Sequence, residues 1–202
     1  MPSTYYLDSV SKGREFQKNN EKNWSGAESK NYNNQIRYLM DKYQAQTVLD
    51  YGCGKGLQYT TPACYGLDNG TVTEPMTFQE RINATTVFKY DPCVAGLDQL
   101  PEPGTKFDAV ICTQVLGSIP DADLEWLSEL IASHATKFVF IGLHSPDKPV
   151  KSKKLMYDSA YLTHPRSIPW YITHFANEWK GPNLYWWFRD TEHPINNWYQ
   201  AR

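Results

Sequence analysis

Residues 47–56 read TVLDYGCGKG, a short apolar run that closes on three glycines at alternate positions. A run of this length that ends in glycine is a buried strand feeding a tight turn. Gly52, Gly54 and Gly56 allow a sharp backbone turn and the close approach of a ligand, because no Cβ stands in the way. In an open α/β sheet such a turn lies where ligands bind, outside the carboxyl ends of the strands. The competing reading is a strand-to-helix turn with no ligand. The acidic Asp50 ahead of the first glycine, together with the third glycine, favours a ligand loop.

The rest of the chain supplies the sheet. TVFKY (86–90), FDAVICT (107–113), KFVFIGL (137–143) and LYWWFRD (184–190) are further strand candidates. From Asn31 to Gln44 the apolar residues Tyr32, Ile36, Leu39, Met40 and Tyr43 trace one helical face. Leu124, Leu127, Leu130 and Ile131 do the same after Pro120–Asp121, and Ile168, Tyr171, Ile172, Phe175 and Trp179 do so nearer the end. Buried strands alternating with helices predict parallel pairing with right-handed crossovers. The expected fold is α/β, a three-layer Rossmann-like open sheet, mostly parallel. Residues 57–85 break the pattern with Pro62, Pro75 and an Asn69–Gly70 pair, which predicts a hairpin insert on a type I′ turn. Residues 1–30 are polar and predict an irregular N-terminal arm ahead of a domain over 31–202, with Trp24 and Tyr5–Tyr6 pinning it to the body.

Composition narrows the function. A chain of 202 residues fits one domain and should bury about 70% of its unfolded surface, so it needs no disulfide or metal to fold. Twenty Lys and Arg against 22 Asp and Glu give a net charge of −2, which argues against an electrostatic nucleic-acid binder. No apolar run approaches the roughly 18 residues of a membrane span, and the first residues have no apolar core of a secretory signal. Cys53, Cys64, Cys93 and Cys112 form no C-x-x-C pair, so reduced thiols and a cytoplasmic location are expected. No His, Cys and carboxylate cluster has metal-ligand spacing. Ten of the 29 aromatic residues fall between Trp170 and Tyr199, either as core or as the wall of a substrate pocket.

The loop's spacing excludes two ligand classes. A dinucleotide fingerprint requires G-x-G-x-x-G, and here Leu57 occupies the third glycine's place. No G-x-x-x-x-G-K-[ST] is present. The D-x-G-x-G-x-G form of Asp50–Gly56 instead resembles motif I of the class I S-adenosylmethionine-dependent methyltransferases, and FDAVICTQVLGSIP is similar to that family's fourth-strand motif. The resemblance implies that Asp50, Tyr51, Gly52, Cys53, Gly54 and Gly56 lie along the methionine part of S-adenosylmethionine, which leaves as S-adenosylhomocysteine. It implies that Asp91, with Pro92, holds the ribose hydroxyls, and that Thr113, Gln114 and Val115 form the cofactor-facing end of the next strand. A carboxylate suits a diol because it can accept from both hydroxyls. The alternative for Asp91 is a turn residue ahead of Pro92. The order of motifs over residues 24–188 is also similar to an uncharacterised bacterial and phage subgroup of methyltransferase-like proteins. That subgroup reads C-T-D-V-L-E-H where this chain has Cys112-Thr113-Gln114-Val115-Leu116-Gly117-Ser118, so its acid, glutamate and histidine are all replaced.

Methyl transfer is an in-line displacement, and orientation alone can contribute roughly 7–11 kcal/mol. A base is needed only for an acceptor that enters protonated. His144, after the KFVFIGL strand, and His164, in LTHPRS, are the candidate catalytic residues, with His174 a third; each is otherwise a packing or surface histidine. The D/N-P-P-Y/F tetrapeptide of amino-methylating DNA enzymes is absent, since Thr113-Gln114-Val115-Leu116 stands there. Pro92–Cys93 comes too early for a cytosine-C5 nucleophile. Lys148, Lys151, Lys153 and Lys154 read as a solvated loop. The expected acceptor is therefore a small molecule or an exposed polar group. Two further readings stay open: a non-catalytic module that binds S-adenosylmethionine or S-adenosylhomocysteine, and a nucleotide-sugar or NAD enzyme, which the glycine spacing opposes.

Overall fold

The computed structural model of the chain describes residues 1–19, 24–144, 166–189 and 199–201. Its strands are β1 (Thr47–Tyr51), β2 (Thr86–Tyr90), β3 (Phe107–Thr113), β4 (Ala135–His144), β5 (Asn183–Arg189) and β6 (Tyr199–Ala201). They form one sheet in the order β2-β1-β3-β4-β5-β6. The first five are parallel, and β6 runs antiparallel to β5 at the edge. The helices are α1 (Thr4–Asn19), α2 (Asn33–Lys42), α3 (Phe78–Ile82), α4 (Asp121–His134) and α5 (Ile168–Glu178). No helix among the described residues is long and apolar enough to cross a membrane.

Side-chain alternation along the strands builds two cores, one on each face. Val48, Ala109, Ile111, Phe138 and Phe140 meet Ile36, Leu39 and Met40 of α2 and Phe78 and Ile82 of α3. Leu49, Tyr51, Val110, Cys112, Val139 and Ile141 meet Tyr6 of α1, Leu124, Leu127 and Ile131 of α4, and Tyr171 and Phe175 of α5. Helices on both faces of a parallel sheet make the three-layer arrangement expected, with the central strands β1, β3 and β4 buried over most of their length and β2 only half-buried. The aromatic cluster is largely core: Trp186 stacks on Phe188 at 5.8 Å and meets Phe175 edge-on at 5.0 Å. Such pairs add about 0.5–1.5 kcal/mol each beyond the area they bury.

Three local expectations change. The N-terminal lead-in is a helix, not an irregular arm. Ser3 caps α1 by accepting from the Tyr6 N–H at 3.1 Å, and Ser3 itself donates through N–H and hydroxyl to Asp123 on α4, at 2.6 and 2.7 Å. Spaced polar residues hid a helix whose few apolar contacts come singly, at Tyr6 and Val10. The hairpin insert is present as bridges between Ala63 and Met76 and between Gly66 and Val72. Its turn is not type I′, because Gly70 takes a positive φ of 82° and Asn69 does not. Gly70 N–H donates to Leu67 O at 3.0 Å and Leu67 N–H to Thr71 O at 2.8 Å, a type I turn closed by a glycine bulge. Third, Tyr32 ends a 3-10 turn (Ala27–Tyr32) ahead of α2 instead of opening the helix.

Candidate functional site

Chain topology places the glycine loop at the switch point of the sheet. After β1 the chain leaves toward α3 on one face, and after β3 it leaves toward α4 on the other. β1 and β3 are neighbours, so their connections diverge at the carboxyl ends of the strands, the place where open α/β sheets take ligands. Gly52, Gly54 and Gly56 enter the left-handed region at φ 83°, 58° and 67°, as the alternate spacing requires. Just after β3, Gln114 also has positive φ, 59°, a conformation that costs a non-glycine residue about 1–3 kcal/mol. Its N–H donates to Gly142 O at 2.8 Å, and its amide donates to the Tyr32 hydroxyl.

The loop has already committed its donors. Gly52 and Cys53 N–H both donate to Tyr90 O, at 2.7 and 3.1 Å, and Gly56 N–H to Cys53 O at 3.2 Å. Lys55 and Leu57 N–H donate to Trp24 O and Ser25 O, at 2.7 and 2.9 Å. Gly54 N–H donates to Asp91 Oδ2 at 2.9 Å. A phosphate site needs free backbone N–H groups converging on the anion, and every N–H from 52 to 57 is engaged within the protein. Two carboxylates flank the loop instead, so the site is built to accept hydrogen bonds.

Asp50 and Asp91 differ in environment. Asp50 is 1% exposed; its Oδ2 accepts from the Tyr59 hydroxyl at 2.7 Å and from Gln58 Nε2 at 3.3 Å. Its Oδ1 is buried with no hydrogen-bond partner among the described residues, and so is Gln58 Oε1. Desolvation outweighs the two donors and raises the Asp50 pKa to about 7. Asp91, 8% exposed, uses Oδ1 to accept from Cys93 N–H at 2.9 Å and Oδ2 to accept from Gly54 N–H. Burial raises its pKa too, with those N–H bonds opposing. Asp91 is therefore also a brace between the β2 turn and the glycine loop.

The other expected residues fall as follows. The Tyr51 ring packs on Tyr90 at 4.9 Å, on the α1 face of the sheet. Cys53 is buried, and desolvation pushes its thiol pKa up, opposite to what a nucleophile needs. Pro92 O accepts from Arg14 of α1 at 2.7 Å. Thr113 is buried at the end of β3, and Val115 abuts Gly52, where an added Cβ would sit 2.1 Å from its Cγ2. A Cβ on Gly54 would meet the Trp24 carbonyl oxygen at 2.3 Å, so that glycine is required by the crossing of residues 24–26 rather than by the open side of the loop. His144 is the last residue of β4, opposite Arg189 of β5, at the carboxyl end of the sheet. His164 lies outside the described residues. His174 stacks on Trp170 at 4.8 Å on α5.

Several residues around the loop have roles not assigned from the sequence. Trp24–Gly26 straps the glycine loop. Gln58 and Tyr59 follow the loop directly, and a polar pair after a ligand loop could have marked them. Arg166 is buried and fixes the turn after β3: it donates to Leu116 O at 3.0 Å and Ile119 O at 2.5 Å and pairs with Asp121 at 2.5 Å. Its partners lie some 45–50 positions away in sequence, beyond any local pattern.

The family described as a methyltransferase domain matches residues 16–202. No curated protein and no solved structure matches the chain.

Proposed function

This chain belongs to the class I S-adenosylmethionine-dependent methyltransferase family, and from that premise we propose that it methylates a small molecule or an exposed polar group at the carboxyl ends of β1 and β3. The observation that carries the reading is the acceptor-only character of the loop: all six N–H groups from 52 to 57 are spent, while Asp50 Oδ1 lies buried without a partner among the described residues. That fits a ligand with a cationic amine and a ribose diol and opposes a pyrophosphate. When bound, S-adenosylmethionine supplies an electrophilic methyl group on sulfur. Asp50 is the residue to face the amine, and Asp91, whose two oxygens each keep a second lone pair, is the residue to accept from the ribose hydroxyls. Gly52, Cys53, Gly54 and Gly56 line the methionine portion, with Thr113, Gln114 and Val115 opposite. His144 and His164 are the candidate bases for a protonated acceptor. The four free thiols fit a reducing compartment, and we place the protein in the cytoplasm.

A binding module without turnover is the second reading. It is favoured by Gln114, which stands where the resembling subgroup has an acid and is tied to the Tyr32 hydroxyl. Calorimetric titration with S-adenosylhomocysteine and with NAD⁺ tests the main reading. Binding of the first and none of the second is expected. Binding of NAD⁺ alone, or of neither, overturns it. A bound cofactor with no methyl transfer to any acceptor screened would favour the module.

A further inference from the structure

Gln17 is a buried amide that the fold does not use. It is 7% exposed, and neither its Nε2 nor its Oε1 has a hydrogen-bond partner among the described residues. Leaving a donor and an acceptor buried and unmet is costly, so such a group points to a missing partner. Its position says which. Along α1, Val10, Gly13 and Gln17 share one face by helical spacing. Val10 O receives the Cys93 thiol at 3.8 Å, and Arg14 binds Pro92 O at 2.7 Å and Asp98 at 3.1 Å. Phe16 meets Trp24 at 5.4 Å, and Trp24 O holds Lys55 N–H at 2.7 Å. The last turns of α1 thus run between the turn that begins at Asp91 and the strap on the glycine loop.

We propose that the Gln17 amide reads the base of the bound nucleoside. This rests on the S-adenosylmethionine reading of the site, which puts a ribose at Asp91 and so its base beside that turn. A glutamine amide pairs with adenine through two complementary bonds, accepting from the 6-amino group and donating to a ring nitrogen. The same two atoms are the ones left unpaired here.

The test uses the full chain, with S-adenosylhomocysteine and S-inosylhomocysteine as probes. The inosyl compound replaces the amino donor with an oxygen acceptor, which would face Oε1. Wild type should prefer the adenosyl ligand by about tenfold or more. Gln17→Met, which fills the same space without polar atoms, should bind S-adenosylhomocysteine about tenfold more weakly, 1.4 kcal/mol, and bring the ratio between the two ligands near one. The melting temperature of its ligand-free form should hold or rise, because no unmet polar atoms remain buried. A structural role would lower that temperature and leave the ratio unchanged. If Gln17→Met does not melt cooperatively, Gln17→Ala gives the same ratio. A variant that keeps the wild-type preference, as it would if the amide merely held a buried water, overturns this inference alone. A wild type that binds no S-adenosylhomocysteine overturns the site reading and this inference together.

Discussion

The two crossovers that meet at β3 cover the sheet differently. From β3 to β4 the chain makes α4, whose Leu124, Leu127 and Ile131 lie wholly buried on the strands it connects. From β2 to β3, residues 91–106 form turns and no helix. The apolar face left by Leu49, Tyr51 and Tyr90 is covered instead by α1, which arrives from the far end of the chain. Coverage of a parallel sheet is a demand of burial, not of connection. Any helix that can reach the face satisfies it, and here the substitute also brings Arg14 to the turn that begins at Asp91, where it binds Pro92 O and Asp98. Most of α1 precedes residue 16, where the family match begins.

Truncation is the harshest way to break this comparison. If α1 is a core element, removing residues 1–19 should cost on the order of 5 kcal/mol or more, since Tyr6 alone is worth roughly 1.5–3 kcal/mol when buried and the ring faces it covers become wet. That approaches the whole stability of an ordinary domain. Leu127→Ala in α4, leaving a cavity in the same layer, should cost about 2–5 kcal/mol. Denaturant melts of the two variants rank them. A truncated chain as stable as the full one would show that α1 merely rests on the sheet.

The sequence made the five parallel strands legible because each is a local apolar run, and each of α2, α4 and α5 repeats its apolar residues on one face. The three-residue edge strand β6 (Tyr199–Ala201) is too short to show a pattern and lies outside the expected strands. β2 and β3 fall on the residues the pattern picks out. α1 was not legible: Tyr6, Gly13 and Gln17 are its buried residues, and two of those three read as solvent-facing in sequence. The glycine loop could be found from its spacing, and Asp91 from the strand before it. The reason for Gly54 could not, because it is the carbonyl oxygen of Trp24, thirty residues earlier. Arg166 was hidden in the same way, since its task is set by partners brought close only in the fold.

Asp91 sharpens the comparison at the site, because it sits on the crossover that lacks a helix. Asp91→Ala removes the proposed ribose acceptor and the brace to Gly54 and Cys93 N–H together. Charge-assisted bonds are worth about 1.5–3 kcal/mol each at the upper range, so S-adenosylhomocysteine affinity should fall at least tenfold. Leaving two N–H groups unmet should cost about 1–3 kcal/mol of stability for each that water does not reach. Calorimetry and thermal melts separate the two. Lost stability with unchanged affinity would leave Asp91 as a brace and move the ribose anchor elsewhere.

Asp50 gives the smallest effect and the one with a pH signature. Its carboxyl titrates at about 7 in the folded chain and near 3.8 when unfolded. Between those values the folded state holds a proton that the unfolded state has lost, so stability falls as pH rises from about 4 to about 7 and stays reduced above. Asp50→Asn removes the charge and keeps the shape, so it should be more stable than wild type at pH 8 and lose that advantage on acidification to pH 5. The difference between the two values allows at most roughly 4 kcal/mol. A gain of about 1–2 kcal/mol is expected, because the amide N–H groups need acceptors that the carboxylate did not. The ligand should reverse the sign. A cationic amine beside Oδ1 stabilises the ionised form, so S-adenosylhomocysteine should bind wild type more weakly below pH 7 and bind Asp50→Asn with little pH dependence in that range. Melting curves at pH 5 and pH 8, with and without S-adenosylhomocysteine, decide it: parallel behaviour of wild type and variant would remove the amine from Asp50.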